Sequence, residues 1–364
     1  MIRILYITSN FRRCGPVNQL YNLVTRLDKK QFEAVILSLS PEGEDSMKNR
    51  FDETCIPIES LYLGRLQGLI RGKKLFRKHL NKLHPNIIHT QGFRPDAMVS
   101  GLRMTPVVST IRMDPGMDYP MKYGKVFGKW MKHKHLSVIR KNKNAVLCSE
   151  SLQQLFKEVY GIDRHCIPNG VDTAEFHPAS AGVKARLRKK HQIPDNHFVF
   201  IYTGSLIQRK NVQSLLHAFS RLHTNALLLI AGSGPMMEEL IREASGSKNI
   251  RFLGQRSDVK NLLQLSDAFI SPSLSEGLPN TVLEAMACGL PVLLSNIAQH
   301  REIFSEKQDE YFFPPKDVDL MSSKMQEIMK ARPEAEEMLG IIRNKYSADI
   351  MAQQYQELYK KILS

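Results

Sequence analysis

Residues 198–219, FVFIYTGSLIQRKNVQSLLHAF, contain a strand, a loop and a helix in succession. The first residues form a short apolar and β-branched run, which is typical of a strand buried on both faces of a parallel sheet. Gly204 ends the strand in a tight turn, and apolar residues then recur at helical spacing after Asn211. The stretch therefore predicts one strand–loop–helix unit.

The same unit recurs along the whole chain. Strands are predicted at 3–8, 33–39, 86–90, 106–111 and 145–149, and again at 198–204, 226–232, 250–254, 268–273 and 291–295. Helices are predicted near 16–28, 65–83, 93–103, 122–142 and 150–160, and then near 211–222, 235–245, 257–265, 279–288 and 317–331. This alternation predicts an α/β protein with two Rossmann-like, doubly wound parallel sheets.

The joint between the two halves is predicted in IPNGVDTAEFHP, residues 167–178. Two prolines and an Asn-Gly pair give this segment strong turn chemistry. We therefore expect one domain over 1–168 and a second over 169–345. Apolar residues at helical spacing predict a last helix at 346–362, within the terminal segment 346–364.

Charge is distributed unevenly between the halves. The 364 residues are 42% hydrophobic and 24% charged, a composition that excludes collagen-like and disordered chains. The formal net charge is +15, of which residues 1–170 carry +14 and residues 171–364 only +1. A basic half indicates an anionic partner: a nucleic acid, a membrane surface or an acidic substrate.

Five widely spaced cysteines and the N-terminal sequence favour a cytoplasmic protein. The cysteines form no C-x-x-C pair, which argues against a disulfide framework or a zinc site. MIRILYITSNFRR reads as a buried first strand rather than a signal peptide. No apolar run approaches the roughly 18–20 residues that span a bilayer. We expect a protein that is soluble or lies on a membrane surface.

The loop GSLIQRKN, residues 204–211, is a candidate phosphate site. Gly204 permits a close backbone approach at a strand end, and Arg209 and Lys210 place two cations at the entry to a helix. A solvated basic loop is the alternative. Two further strand ends, AGSGP (231–235) and IRFLGQ (250–255), belong to the same half, and Gln255 is a candidate to flank a base or merely ends an edge strand.

The stretch SEGLPNTVLEAMACGLPVL, residues 275–293, pairs two carboxylates with a helix start. Glu276 lies in a turn, and Glu284 follows eight positions later within the helix. Backbone N–H groups that open a helix form an anion site. The candidate residues there are Gly277, Leu278, Pro279, Asn280 and Thr281, of which all but the proline have such a group. Two carboxylates beside such a site suit a nucleotide-sugar, which carries hydroxyl groups on both sides of its diphosphate.

These motifs in this order resemble the retaining glycosyltransferases of family 4, which have the GT-B fold. The chain carries the E-x7-E signature at Glu276 and Glu284, the Arg-Lys pair at 209–210, and the NGVD…F.P linker at 169–178. The resemblance implies two Rossmann-like domains facing a central cleft. It also implies that the final helix packs back on the N-terminal domain, and that this domain binds the acceptor.

The resemblance further implies a role for each matching residue. Arg209 and Lys210 would bind the donor diphosphate, Glu276 the sugar hydroxyls and Glu284 the ribose, with the N–H groups of Asn280 and Thr281 on the phosphate. The implied reaction needs no metal ion or other cofactor and retains the anomeric configuration. UDP is the nucleotide that the resemblance favours. In bacterial relatives the acceptor is often a sugar on a lipid diphosphate, in cell-surface polysaccharide or glycoconjugate synthesis.

The first half departs from the family pattern in two places. The usual Gly-Gly loop is RRCGPVNQL, in which Gly15 remains as a donor-binding candidate. Arg112 stands where many relatives have a histidine, and a guanidinium cannot act as a base at neutral pH. Arg112 is a candidate to stabilise the leaving phosphate or to bind an acidic acceptor. Asp114 and His89 are further candidates for the cleft, although His89 is equally well explained as a buried structural histidine.

Two helices concentrate the basic residues. Neither 65–84 nor 122–143 contains an acidic residue, and the second segment combines an apolar stripe with the only tryptophan. Part of the stripe is expected in the core. The charges favour an anionic membrane surface, and the candidate membrane contacts are Lys122, Lys125, Lys129, Trp130 and Lys132.

Two other functions are compatible with these sequence features. A nucleotide-sugar epimerase has similar twin domains, and a non-enzymatic protein could use the basic half to bind a polyanion. No helix-turn-helix, zinc or RNA-binding aromatic motif supports a nucleic-acid partner. The sequence leaves the oligomeric state open.

Overall fold

The chain divides into two units after Gly170 and again after Ser347. The first unit comprises Met1–Gly170 together with Ala348–Ser364, and the second comprises Val171–Ser347. The computed structural model describes residues 1–102, 104–222, 225–304, 308–331 and 335–364.

The described residues of the first unit form a seven-stranded parallel sheet. Its strand order is β3-β2-β1-β4-β5-β6-β7. The strands are β1 (Ile2–Thr8), β2 (Phe32–Ser38), β3 (Ile58–Ser60), β4 (Ile87–Gln91), β5 (Val107–Ile111), β6 (Ala145–Leu147) and β7 (His165–Cys166). The helices between them are α1 (Gly15–Val24), α2 (Lys48–Asp52), α3 (Arg65–Leu83), α4 (Phe93–Val99), α5 (Pro115–Tyr123), α6 (Lys125–Lys141) and α7 (Glu150–Tyr160).

Helices cover both faces of this sheet because β1 is apolar on both sides. Ile4 and Tyr6 belong to one buried cluster, whereas Leu5 and Ile7 belong to another. Successive side chains of a strand point to opposite faces, so each cluster marks one face. Helix α1 packs on the first face, and α3 and α4 pack on the second.

The second unit contains a six-stranded parallel sheet of order β10-β9-β8-β11-β12-β13 among its described residues. Its strands are β8 (Phe198–Thr203), β9 (Ala226–Ala231), β10 (Ile250–Gly254), β11 (Ala268–Ser271), β12 (Val292–Ser295) and β13 (Phe312–Phe313). Its helices are α8 (Ala181–Lys190), α9 (Val212–Ser220), α10 (Met237–Glu243), α11 (Val259–Leu265), α12 (Asn280–Ala287), α13 (Ala298–Arg301), α14 (Val318–Ala331) and α15 (Ala335–Ile341). The prediction of an α/β chain with two parallel sheets is confirmed.

The last helix, α16 (Ala348–Leu363), belongs to the first unit and supplies part of its core. Tyr355 and Tyr359 are fully buried there, and their hydroxyl groups join a chain of hydrogen bonds. The Tyr359 Oη lies 3.1 Å from the Tyr6 Oη and 2.7 Å from the His89 Nδ1. Thr110 Oγ1 lies 2.7 Å from both the His89 Nε2 and the Tyr355 Oη. Buried polar groups need such partners, so this network fixes α16 against the sheet.

Short elements account for most of the differences from the predicted pattern. Strands β3, β7 and β13 have two or three residues, which is too few to produce a recognisable apolar run. Helix α8 was also missed because its sequence, AGVKARLRKK, is largely polar and only Leu187 is buried.

The helix predicted over 122–142 is two helices rather than one. Gly124 adopts a left-handed conformation with φ of +80°, which ends α5 and begins α6. The first helix starts earlier than predicted, with Asp114 as its N-cap and Pro115 in its first turn. The result is a helical hairpin in place of a single amphipathic helix.

A glycine contact ties together two loops of the second sheet. A Cβ atom built on Gly232, after β9, would lie 1.8 Å from the carbonyl oxygen of Gly204, after β8. No side chain fits there without moving backbone. By contrast, a Cβ atom on Gly246 would meet no heavy atom within 4 Å.

We therefore predict that Gly232→Ala destabilises the second unit by at least ~2 kcal/mol, because overpacking against backbone cannot relax cheaply. Thermal unfolding followed by circular dichroism should show a Tm lower by several degrees, since 1 kcal/mol shifts Tm by about 2–4 °C at this size. The matched change Gly246→Ala should leave the Tm within about 1 °C by the same scale. Equal Tm values for the two variants would contradict the steric argument.

Candidate functional site

The point where the strand order reverses lies between β8 and β11. From β8 the chain continues to β9 on one side, whereas from β11 it continues to β12 on the other. Open α/β sheets bind ligands in the crevice at the carboxyl ends of such neighbouring strands. Arg209 and Lys210 lie in the short 3₁₀ turn that follows β8, and Glu276 lies in the loop that follows β11. The fold thus brings three predicted site residues to this switch point.

Glu276 forms ion pairs with both cations. Its Oε1 accepts from the Lys210 Nζ at 2.5 Å, and its Oε2 accepts from the Arg209 Nη1 at 3.1 Å. Arg209 also donates to the backbone carbonyl of Ser275. Only 7% of Glu276 is exposed to solvent. Because charge pairs that are largely buried are screened little by water, this contact fixes both cations at the end of the sheet.

Electrostatics keep Glu276 ionised. Burial by itself raises the pKa of this carboxyl, but the charges of Lys210 and Arg209 outweigh burial and lower the pKa to about 2. A hydrogen bond from Ser273 acts in the same direction. At neutral pH the cluster therefore contains two positive charges and one negative charge, and it retains a net charge of +1.

A buried histidine next to this cluster was not recognised from the sequence. His300 is fully buried, and its Nδ1 lies 2.8 Å from the carbonyl oxygen of Ser295. Burial lowers its pKa to about 4, although the nearby Glu276 charge opposes the shift. His300 is thus neutral at physiological pH and carries its proton on Nδ1. Its position after β12 was the available signal, since strand ends in this sheet meet at one edge.

The remaining predicted donor residues lie at neighbouring ends of the same sheet. Gly204 donates its N–H to the Ala231 carbonyl at 3.0 Å, and Gln255 follows β10 with its Oε1 3.4 Å from the Ser233 Oγ. Residues 277–279 lead from Glu276 into α12, and Pro279 is the N-cap of that helix. Asn280 and Thr281 are its first two residues, so their backbone N–H groups lie at its amino end.

Glu284 has surroundings opposite to those of Glu276. It lies in α12 and is partly buried, and none of the described residues forms an ion pair or a side-chain hydrogen bond with its carboxyl. Burial raises its pKa to about 8, and the negative charge of Glu175 contributes to the increase. No cation among the described residues of the second unit pairs with this carboxyl.

In the first unit, His89 is a core residue. Its side chain has no exposed surface, and its two ring nitrogens form hydrogen bonds with Tyr359 and Thr110. Burial, with a smaller contribution from the charge of Arg112, lowers its pKa to about 3. The expectation that His89 lines a cleft is corrected by this geometry, which supports the structural alternative.

Asp114 also has a structural role in this conformation. Its Oδ1 accepts from the Gly116 N–H at 2.7 Å and from the Tyr160 Oη at 2.5 Å, so it caps α5. Only 6% of the residue is exposed. Asp114 is thus engaged by its own unit rather than open to an acceptor.

Arg112 has one buried nitrogen that the fold does not satisfy. Its Nη1 donates to the Asn169 Oδ1, but no hydrogen-bond partner for its Nε occurs among the described residues. A buried donor without a partner is costly, which makes Arg112 the best candidate in this unit for an anionic ligand. Gly15 is the first residue of α1, also in the first unit.

In the described parts of the chain, no three or more His, Cys, Asp and Glu residues are grouped so that they could hold a metal ion. No helix in those parts is both long enough and apolar enough to cross a bilayer. Metal independence stays a prediction.

Two family models match the two halves of the chain. Residues 14–175 match the model described as Glycosyltransferase Family 4, and residues 183–345 match the model described as Glycosyl transferases group 1. The two matches leave only the chain ends and a seven-residue connection outside them.

Two relatives from Escherichia coli illustrate the range of similarity. The O-antigen biosynthesis glycosyltransferase WclY is 23% identical over 99% of both chains. A UDP-Gal:alpha-D-GlcNAc-diphosphoundecaprenol alpha-1,3-galactosyltransferase is 33% identical over 48% of this chain and 47% of its own.

Solved structures share the fold at low sequence identity. HepE from Anabaena, in complex with UDP-glucose, has a TM-score of 0.85 at 16% identity over 99% of this chain and 100% of its own. A glycosyltransferase from Rickettsia africae has a TM-score of 0.80 at 20% identity over 100% of this chain and 99% of its own. The predicted GT-B fold is confirmed.

The raised pKa of Glu284 leads to a test by pH. Below pH 4.5, the ordinary pKa of a glutamate, the carboxyl is protonated in both folded and unfolded chains. Between pH 4.5 and about 8 the unfolded chain releases this proton and the folded chain does not, so stability falls as pH rises. The Tm of Glu284→Gln minus the Tm of the wild type should therefore increase by several degrees between pH 5 and pH 8.5. Near pH 4.5 the two proteins should have similar Tm values.

The matched control is Glu239→Gln, which removes one exposed carboxylate of α10 in the same unit. Its Tm difference from the wild type should stay nearly constant with pH. A constant difference for Glu284→Gln as well would show that its carboxyl titrates as an ordinary exposed one.

Proposed function

Because the chain belongs to the family 4 glycosyltransferases of the GT-B fold, we propose that it transfers a sugar from a UDP-sugar to a glycan or lipid-linked acceptor. The transfer retains the anomeric configuration and serves the synthesis of a cell-surface polysaccharide or glycoconjugate. The second unit binds the donor and the first unit binds the acceptor.

The observation that carries the proposal is the cation pair held by Glu276 at the switch point. A nucleotide-sugar has two negative charges on its diphosphate, and the cluster offers a net charge of +1 where the fold binds ligands. An ammonium group has three N–H donors, of which the Lys210 contact to Glu276 uses one. Lys210 can thus approach a phosphate oxygen without leaving Glu276.

The cluster also supplies what the reaction requires electrostatically. When the bond between the anomeric carbon and the β-phosphate oxygen breaks, negative charge collects on the departing UDP. Arg209 and Lys210 are already oriented there, so they stabilise that charge without reorganisation. The β-phosphate then takes the proton of the attacking acceptor hydroxyl as the new bond forms on the same face. Fixed cations replace a metal ion in this scheme.

UDP is supported as the nucleotide by two of the similar proteins. The relative that shares 33% identity is named for UDP-Gal, and HepE was solved with UDP-glucose. Ionised Glu276 accepts hydrogen bonds from sugar hydroxyls in this proposal, whereas Glu284 meets the ribose.

A lipid-linked diphosphate sugar is the acceptor class that fits the first unit. Residues 1–170 have a net charge of +14, and the Nε atom of Arg112 is buried without a partner among the described residues. We assign Arg112 to the anionic group of the acceptor. An anionic membrane surface is the place where such an acceptor is found.

The donor site can be tested by thermal shift with UDP. A ligand that binds only the folded state stabilises it, by about 2.7 kcal/mol at 100 times its Kd. We expect UDP to raise the Tm of the wild type and to have little effect on Lys210→Ala. The control Lys189→Ala removes an exposed lysine of α8 in the same unit and should respond like the wild type.

Lys210→Ala leaves Glu276 with one cation and lowers the Tm without ligand, so the readout is the increment caused by UDP. Glu276→Gln provides a second variant of unchanged shape. If both variants keep the full UDP increment, the assignment of the donor site is wrong.

Transfer itself can be followed with UDP-glucose or UDP-galactose and a short-chain polyprenyl diphosphate GlcNAc acceptor. We expect an α-linked product by NMR, undiminished by EDTA, and a loss of roughly 100-fold or more in Lys210→Ala because a stabilising charge is removed. A β-linked product would contradict retention. Conversion of the donor sugar without acceptor would indicate an epimerase.

A further inference from the structure

The α5–α6 hairpin exposes an unusual amount of apolar surface. In the parts of the chain that the structure describes, thirteen large hydrophobic residues are exposed, and six of them lie between 117 and 130. Their exposed fractions range from 39% to 86%, and the six are Met117, Met121, Tyr123, Val126, Phe127 and Trp130. Isolated surface hydrophobics are ordinary, but a contiguous group marks an interaction site.

The two helices of the hairpin pack closely against each other. Gly124 forms its corner, and a Cβ atom on Gly128 would lie 2.5 Å from the backbone of Pro120, so the two helices touch closely. The rings of Phe127 and Trp130 are stacked, with centroids 5.4 Å apart and an angle of 17°. These side chains are therefore held in place while facing solvent.

A contact near the middle of α6 places the hairpin beside one edge of the first sheet. The His135 Nε2 lies 3.0 Å from the Asp96 Oδ2, in the first turn of α4. Helix α4 starts two residues after β4, so this contact marks the carboxyl edge of the first sheet. Helix α6 runs ten residues from Lys125 to His135, which is about 15 Å. Helix α5 begins at the same edge, four residues after β5, so both helices lead from this edge to the corner at Gly124.

Positive charge surrounds the apolar corner. The chain has no Asp or Glu between Asp118 and Glu150. The lysines on both sides of the corner at Gly124 are exposed, namely Lys122 at the end of α5 and Lys125 and Lys129 at the start of α6. Helix α3, a second basic helix, packs on the same face of the sheet as α4. One face of the first unit is thus cationic and has an apolar projection at its edge.

We propose that the corner of the α5–α6 hairpin, residues 117–130, inserts into the interfacial region of an anionic lipid bilayer. Tryptophan, phenylalanine and methionine would enter the headgroup boundary, and the lysines around them would contact lipid phosphates. The charge favours a lipid surface over an apolar protein partner, because each lysine would have to be paired or desolvated in a protein interface.

Insertion at this place has a consequence for the acceptor. The hairpin projects from the carboxyl edge of the first sheet, the edge at which sheets of this type bind ligands. A lipid-linked acceptor would thus meet the protein with its diphosphate at headgroup level. This last step rests on the proposed function, whereas insertion does not.

Trp130 makes the experiment possible with the unmodified protein, because it is the only tryptophan in the chain. We would add vesicles of phosphatidylcholine alone, or of equal parts phosphatidylcholine and phosphatidylglycerol, and record tryptophan emission and vesicle flotation. The expected result is flotation with the anionic vesicles, a shift of the emission to shorter wavelength, and protection from acrylamide quenching. Flotation without any change in emission would overturn the proposal, as would the absence of flotation.

Two sets of variants separate insertion from simple adsorption. The double variant Val126→Ser, Phe127→Ser keeps Trp130. It should lose the emission shift, and it should also lose the part of the flotation that remains in the wild type when the salt concentration is high. The control Val159→Ser removes an apolar side chain that is 65% exposed on α7 of the same unit, and it should behave like the wild type. Lys125→Glu with Lys129→Glu should weaken binding by at least fivefold per lysine, as expected for about 1 kcal/mol each.

Other outcomes are decisive against the proposal. If Val159→Ser reduced flotation and the emission shift as much as Val126→Ser with Phe127→Ser, the hairpin would not be the membrane contact. An emission shift that depends on protein concentration without vesicles would identify the hairpin as an interface between copies of the chain. Each variant is also tested for the UDP-dependent increase in Tm, so that failure to insert and failure of the donor site are observed separately.

Discussion

The ionised carboxyl of Glu276 organises the carboxyl end of the second sheet. It lies in the loop after β11, and its two cationic partners lie in the turn after β8, so one side chain connects the loops on both sides of the switch point. Without that carboxylate, two positive charges would be buried close together, which is unfavourable. The position of both cations therefore depends on an anion that the protein itself provides.

The two carboxylates of the E-x7-E pattern have become chemically different groups. Glu276 has two cations beside it and a pKa of about 2, whereas Glu284 has a carboxylate neighbour, Glu175, and a pKa of about 8. Environments that separate two similar groups in this way are common where each has its own task. Here one carboxyl is held as an anion, and the other keeps its proton near neutral pH.

The architecture was predictable from the sequence because buried parallel strands give strong local patterns. FVFIYTG and PVLLS need no distant information to be recognised. Arg209 and Glu276 were also singled out from the sequence as site candidates, but the bond between them was not predictable, since it joins positions 67 apart. His89 shows the same limit more clearly, because its partner Tyr359 is 270 residues away. The break at Gly124 was missed since glycine within a helical pattern is only a weak signal.

The return of α16 to the first unit has a consequence for synthesis on the ribosome. Residues 171–347 form their unit from one continuous segment, so this unit can complete its core as soon as its segment has emerged. The first unit begins earlier but ends later, because its buried tyrosine–histidine network requires Tyr355 and Tyr359, near the end of the chain. The core of the first unit therefore stays incomplete until after the segment of the second unit has been synthesised. The unit whose synthesis starts first is thus the last to complete its core.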